Sequence, residues 1–163
     1  MPQKLNSLSS MRRMLWLMGV FKIPMMAYVK PRLLELNDEL SIVRIKLRKR
    51  TKNHLKSMYF GSLAVGADVA AGLHAFYFAN KEGAKVSFAF KSVKAEFLMR
   101  AMTDVIFISK DGQLVRQAFE QAKSTQERVN QMVKVECKNT NDELVATFEM
   151  EVSVKLKSWE HCI

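Results

Sequence analysis

Cysteine, proline and glycine are all scarce in this chain: two, three and six among 163 residues. Cys137 and Cys162 stand apart, without CxxC or Cys/His spacing, which argues against a disulfide framework or a zinc module. No export signal is evident, so both are expected as free thiols of a cytoplasmic protein. The three histidines do not cluster; His74 and His161 are expected to be structural or solvated, with no metal. Long apolar runs are also missing near the N-terminus. "MLWLMGVF" follows Arg12 and Arg13 but is cut by Lys22 and Pro24, far short of the ~20 residues of a membrane span. Without Gly/Ser/Pro-rich or acidic low-complexity stretches or internal repeats, 1–163 is expected to fold as one domain.

What is abundant is apolar residues, at 48%, and positive charge, with a net +10. Such a charge suits nucleic acid, an anionic membrane surface or a phosphate-rich ligand. Nucleic acid is not expected: there is no zinc-finger, RNP or helix-turn-helix pattern, and the basic residues are not interleaved with exposed-looking aromatics. Residues 8–22 are expected to form a short amphipathic or buried helix stopped by Pro24, and contact with a membrane surface through it is one open reading.

Hydrophobic periodicity supplies the rest. A short strand near Pro31–Leu36 turns through "ELNDEL" into a second, where Val43, Ile45 and Leu47 alternate with Arg44, Lys46 and Arg48. A long helix is expected from Ser57, read as its N-cap, to Asn80, closed by Gly83. Strands follow at "KVSFAFKSVKAEF" and "TDVIFISKDG", the latter ending in a turn at Asp111-Gly112. A short helix, "QLVRQAFEQAKSTQ", precedes two long strands joined by "NTND". Neighbouring strands with short turns favour an antiparallel sheet, so the fold class is α+β, the long helix packing on the sheet.

That helix is apolar almost all round and made of small residues, Gly61, Gly66 and Gly72 among them. Each helical glycine costs about 0.5–1 kcal/mol relative to alanine. Close approach of other backbone would offset that cost. Asp68 is the one carboxylate in the run, and must be paired, hydrogen-bonded or partly wet. Either a solvated gap or a reactive site satisfies this.

The stretch "VKPRLLELNDELSIVRIKLRKRTKNHLKSMYFGSLAVGAD", with the order of elements around it, resembles the hotdog-fold thioesterases. The likeness is to a bacterial branch related to the phenylacetate-type acyl-CoA thioesterases. It implies a hotdog core over 31–157, its antiparallel sheet wrapped around the long helix, with 1–30 as an N-terminal helical extension. The family's active-site asparagine falls on Asn53, its histidine on Tyr59, its two glycines on Phe60 and Gly61, its acid on Asp68 and a strand serine on Ser87. Tyr59-Phe60 thus replaces a His-Gly pair, and Lys56 stands where glycine is usual.

The resemblance implies hydrolysis of an acyl-CoA or acyl-carrier-protein thioester. Asp68 would be base or nucleophile, Asn53 would hold water or thioester, Ser87 would orient the nucleophile, and the Phe60 and Gly61 amides would form the oxyanion hole. It further implies a homodimer or dimer of dimers with sites between subunits, and no cofactor beyond the coenzyme A of the substrate. His54 ranks second, as a loop residue hydrogen-bonding near the helix start. Arg48, Arg50, Lys52 and Lys56 either line a solvated face or bind the phosphates of coenzyme A. Two rivals stand beside this: a non-catalytic hotdog protein binding acyl-CoA or a fatty acyl group, and a dehydratase or hydratase of the same fold. The catalytic histidine that a dehydratase would need is not found.

Overall fold

The computed structural model describes residues 7–157; His161 and Cys162 lie outside them. The chain runs α1 (Leu8–Phe21), α2 (Pro24–Val29), β1 (Arg32–Leu36), β2 (Ser41–Ile45), α3 (Phe60–Glu82), β3 (Lys85–Phe97), β4 (Val105–Ser109), α4 (Gly112–Thr125), β5 (Val129–Asn139) and β6 (Leu144–Lys157). All six strands form one antiparallel sheet in the order β1-β2-β4-β5-β6-β3. After β2 the chain crosses the sheet as α3, descends the far edge as β3, and returns to place β4 beside β2. The result is the expected hotdog architecture, a sheet wrapped around a long helix.

At about 1.5 Å per residue α3 is roughly 34 Å long, long and apolar enough to cross a bilayer by length and composition. Here it is core: 78% of its most apolar stretch is buried beneath strands β2 to β6. Its first half is slim because aromatic rings lie across it. A Cβ on Gly66 would stand 2.1 Å from Cε2 of Phe107, and one on Gly61 2.5 Å from the Tyr59 ring. One on Gly72 would lie 3.3 Å from the Phe88 ring. The glycines admit side chains, then, rather than backbone.

The inner face of the sheet supplies Val43, Ile45, Val105, Phe107, Val133, Val135, Phe148 and Val152, all fully buried. Cys137 is among them as a free thiol, and burial pushes it up to about 12, so it is inert at neutral pH. His74, on α3, is completely buried; its Nε2 meets the Asn37 carbonyl at 3.1 Å. Burial holds this imidazole below its ordinary range.

Several boundaries differ from the expectation. Pro24 does not merely stop α1: it is the first residue of α2, where its missing N–H is no loss. β2 ends at Ile45, because Arg44 and the Leu47 amide both bind the Asp104 carboxylate and pull the chain off the sheet. Ser57 caps nothing. It is buried and bonded to Asn53, and α3 begins three residues later, after Tyr59. Gly83 closes α3 with φ 65°, as expected of a terminal glycine. Asp111-Gly112 opens α4 instead of a turn.

Gly66→Ala should lower stability by about 2–3 kcal/mol, because the buried Phe107 ring has nowhere to retreat. Gly72→Ala asks the half-buried Phe88 ring to give by only a few tenths of an ångström, so it should fall within about 1 kcal/mol of the parent. Urea unfolding of both variants measures the difference.

Candidate functional site

The segment entering α3 is held by its own side chains. Thr51 is buried; its hydroxyl accepts from the Arg48 amide and donates to the Lys46 carbonyl, both at 2.8 Å. This pins a short 3-10 turn over Lys49–Thr51 that presents Arg48 and Lys52 to solvent. Arg50 lies over the Tyr28 ring, 5.9 Å from its centroid. Arg44, the first cation of the run, is committed to Asp104 and is structural.

Asn53 organises the next turn. Its Oδ1 accepts from the Leu55 amide at 2.9 Å, and its Nδ2 donates to Ser57 Oγ at 3.0 Å. Its backbone amide donates to the Ser57 carbonyl. One Nδ2 hydrogen has no acceptor among the described residues. Lys56 in this loop has φ 62°, a left-handed conformation that costs a side-chain-bearing residue about 1–2 kcal/mol. That is the physical reason glycine suits the position.

At Tyr59 the chain turns into α3, with φ −64° and ψ 135°. Among the described residues no acceptor faces the amides of Phe60 and Gly61, two of the donors a helix N-terminus leaves open. The Tyr59 ring covers Gly61, and Phe60 is 60% exposed. Asn53, His54, Tyr59, Phe60, Leu63 and Phe97 line a cleft of about 470 Å³ at this end of the helix. His54 is exposed there, and its ring makes no hydrogen bond among the described residues.

Asp68 lies two turns further along α3, roughly 12 Å from Phe60 at 1.5 Å per residue. It sits between two apolar hollows. One, of about 420 Å³, is walled by Ala64, Val65, Phe90, Val93, Phe148 and Met150, with Lys91 and Ser92 also on its lining. The other, of about 180 Å³, is formed with residues of α1, α2 and β3, including Leu15, Met26 and Phe88. Among the described residues the carboxylate has no hydrogen bond and no ion pair. Burial among these side chains raises it from 3.8 to about 6. A base poised near neutrality in an apolar cleft is a physical mark of a reactive group.

Ser87 does not join it within the chain. β3 turns Phe88 toward α3, so alternation puts Ser87 on the other face, where its hydroxyl accepts from Arg128 Nη2 at 3.1 Å. The residues that build both clefts from β3 and β6 (Phe90, Val93, Phe97, Phe148 and Met150) were not singled out from the sequence. Their alternating apolar pattern marked them only as strand.

The profile of one protein family, described as a domain of unknown function (DUF4442), matches residues 11–154. The chain belongs to the DUF4442 family. Among curated proteins no sequence matches it. Solved structures share its fold at low identity. A Chlorobaculum tepidum protein of unknown function superposes with a TM-score of 0.80 at 11% identity, covering 94% of this chain and 98% of that one. A candidate thioesterase from Shewanella oneidensis gives 0.77 at 12%, covering 90% and 99%. A thioesterase from Haemophilus influenzae gives 0.67 at 10%, covering 95% of each chain. The DUF4442 chain therefore has the fold of these proteins over nearly its whole length.

The raised Asp68 has a stability consequence in this DUF4442 chain. The unfolded carboxyl loses its proton near 3.8 and the folded one near 6. Between those values the folded state binds more protons, so stability falls as pH rises through that window and the deficit persists above it. Asp68→Asn should raise stability by about 1–2 kcal/mol at pH 8, given partial wetting of the carboxylate. The gain should vanish below pH 4, as thermal melts at the two pH values would show.

Proposed function

We propose that this protein hydrolyses the acyl thioester of coenzyme A or of an acyl-carrier protein, at a site completed by a second copy of the chain. The observation that carries this is the separation on α3. A partnerless carboxylate with its proton held to about 6 lies roughly 12 Å from two unengaged helix N-terminal amides. One carbonyl cannot touch both within a chain. β3 is an edge strand of 13 residues, bonded among the described residues only to β6, with largely exposed side chains. Two such edges paired antiparallel would extend the sheet and set the Asp68 of one chain toward the α3 N-terminus of the other. The thioesterase names borne by proteins of the same fold support the reading.

In this scheme the acyl chain lies in the apolar cleft and the thioester carbonyl oxygen accepts from the Phe60 and Gly61 amides. Asp68 takes a proton from water as the water oxygen adds to the carbonyl carbon. The tetrahedral adduct then expels the thiolate, which takes that proton from Asp68. Direct attack by Asp68 would instead form an anhydride that water opens, with the same products. Asn53, largely committed to its loop, positions the α3 N-terminus and keeps one N–H for the substrate. Arg48, Arg50, Lys52 and Lys56 bind the phosphates of the carrier arm. Ser87, bonded to Arg128, is left out of the scheme.

Phe60→Pro isolates the amide, because proline is tolerated at the first helical position and Tyr59 already has the extended ψ that a following proline requires. It should lower kcat for acyl-CoA hydrolysis about 10²-fold or more, whereas Phe60→Ala keeps the donor and most of the rate. Asp68→Asn should lose comparable activity while staying folded. Mixing the two inactive variants should restore on the order of one quarter of the parental rate, since half the sites of a mixed dimer are intact. No recovery on mixing would place the two groups in one chain or outside the site.

Charge reversal at Arg48 should raise KM for acyl-CoA about tenfold with little change in kcat. A second reading, binding without turnover, is favoured by one feature: the Tyr59 and Phe60 rings crowd the oxyanion position, their centroids 4.9 Å apart. Saturable acyl-CoA binding with no thiol released by any acyl length would establish it.

A further inference from the structure

Helix α1 is apolar on two opposite sides. Met11, Leu15 and Gly19 face inward and are buried. On the other side Trp16, Leu17 and Val20 stand in solvent, Trp16 63% exposed, and Phe21 follows at 74%. α2 adds Met25 and Tyr28, both more than half exposed. A helix packed on one side of a soluble core ordinarily turns polar residues outward. This second face is unexplained by the fold.

The charge around it has a single sign. Residues 1–34 contain no aspartate or glutamate, but six cations: Lys4, Arg12, Arg13, Lys22, Lys30 and Arg32. Arg13, Lys22, Lys30 and Arg32 are exposed, and none of these four is in an ion pair among the described residues. Between α1 and the start of β1 lies a hollow of about 520 Å³ lined by Leu15, Gly19 and Met26, with Trp16, Lys30 and Arg32 around it. Gly19 packs so closely on the Ala27 backbone that a Cβ would stand 3.0 Å from its nitrogen, so α1 and α2 form a firmly packed pair.

We propose that the α1–α2 pair docks on a bilayer containing anionic phospholipid. The exposed aromatic and aliphatic side chains enter the boundary between headgroups and acyl chains, and the unpaired cations remain at the level of the phosphates. Charge complementarity selects this occupant. A second copy of the same face would set cations against cations, whereas an anionic bilayer neutralises them. The inference is independent of catalysis and would hold for a protein that only binds its ligand.

Trp159→Phe leaves Trp16 as the only tryptophan and makes its fluorescence the reporter. Vesicles of phosphatidylcholine with phosphatidylglycerol should shift the emission to the blue and carry the protein down on centrifugation. Vesicles of phosphatidylcholine alone should do neither, and salt should reverse the binding. Phe21→Ser with Met25→Ser, and separately Arg13→Glu with Lys22→Glu, should each weaken partitioning about tenfold or more. Hydrolysis of a soluble acyl-CoA, if present, should be unchanged by them. The charge pair keeps the test open if the serine pair misfolds. Absence of a shift on anionic vesicles, or unaltered partitioning in both variants, would overturn the proposal. So would a drop in mass by light scattering for either variant, which would make the face an interface between copies, or capture of an acidic protein without vesicle binding.

Discussion

The fit of Phe107 over Gly66 is the constraint on which the rest of the structure depends. A ring fully buried against a helix backbone fixes the depth at which α3 lies in the sheet. From that depth the other distances follow. The strands can curl around the helix, Phe88 and Phe90 can reach its flank from β3, and Phe148 can close the space between β6 and the helix. A bulkier helix would lift off the sheet, and the apolar hollows beside Asp68 would lose their walls. Close packing transmits such a change because protein interiors have little slack.

The same slimness accounts for the state of Asp68. Its neighbours on α3 are small and apolar, and among the described residues no hydrogen bond or ion pair reaches it, although Lys91 and Ser92 line the same hollow. A carboxylate in that position is destabilising by itself. It persists in a helix whose local composition otherwise favours burial, a pattern typical of groups retained for chemistry at some expense of stability. The open amides at Phe60 and the free edge of β3 are two further unsatisfied features. All three would be met together by a second copy, which makes a shared thioester site the most economical reading.

Charge is divided between two uses in the chain. Arg44, Lys81, Arg116 and Lys123 meet carboxylates and tie elements together. The exposed cations in and around α1 and those of the loop after β2 do not, among the described residues; the former flank the exposed face of α1 and the latter the proposed substrate cleft. Where Arg50 lies over Tyr28 the two basic regions meet. A thioester carrying a long acyl chain partitions into bilayers, so a surface that holds the protein at a membrane would also hold it near such a substrate.

Much of this was legible from residues alone. Periodicity of two set the strands, since alternate side chains face a dry and a wet side; small residues set the slender helix; and one lone carboxylate in it pointed to Asp68. Local signals misplaced the start of α3, because Ser57 has a cap's chemistry but its hydroxyl finds Asn53 first, and they hid α2, because proline both ends and begins helices. What they could not decide was proximity. Ser87 matched a pattern by spacing, yet strand alternation and Arg128 put it on the outer face. The separation of Asp68 from Phe60, the second apolar face of α1 and the walls supplied by Phe90 and Phe148 arise from contacts between residues far apart in the chain. The sequence by itself determined which of the longer segments are helix, strand and core, because those depend on neighbours a few residues away. Only the tertiary structure decided which polar groups stand together and which surfaces stay open, because burial and distance are properties of the packed chain.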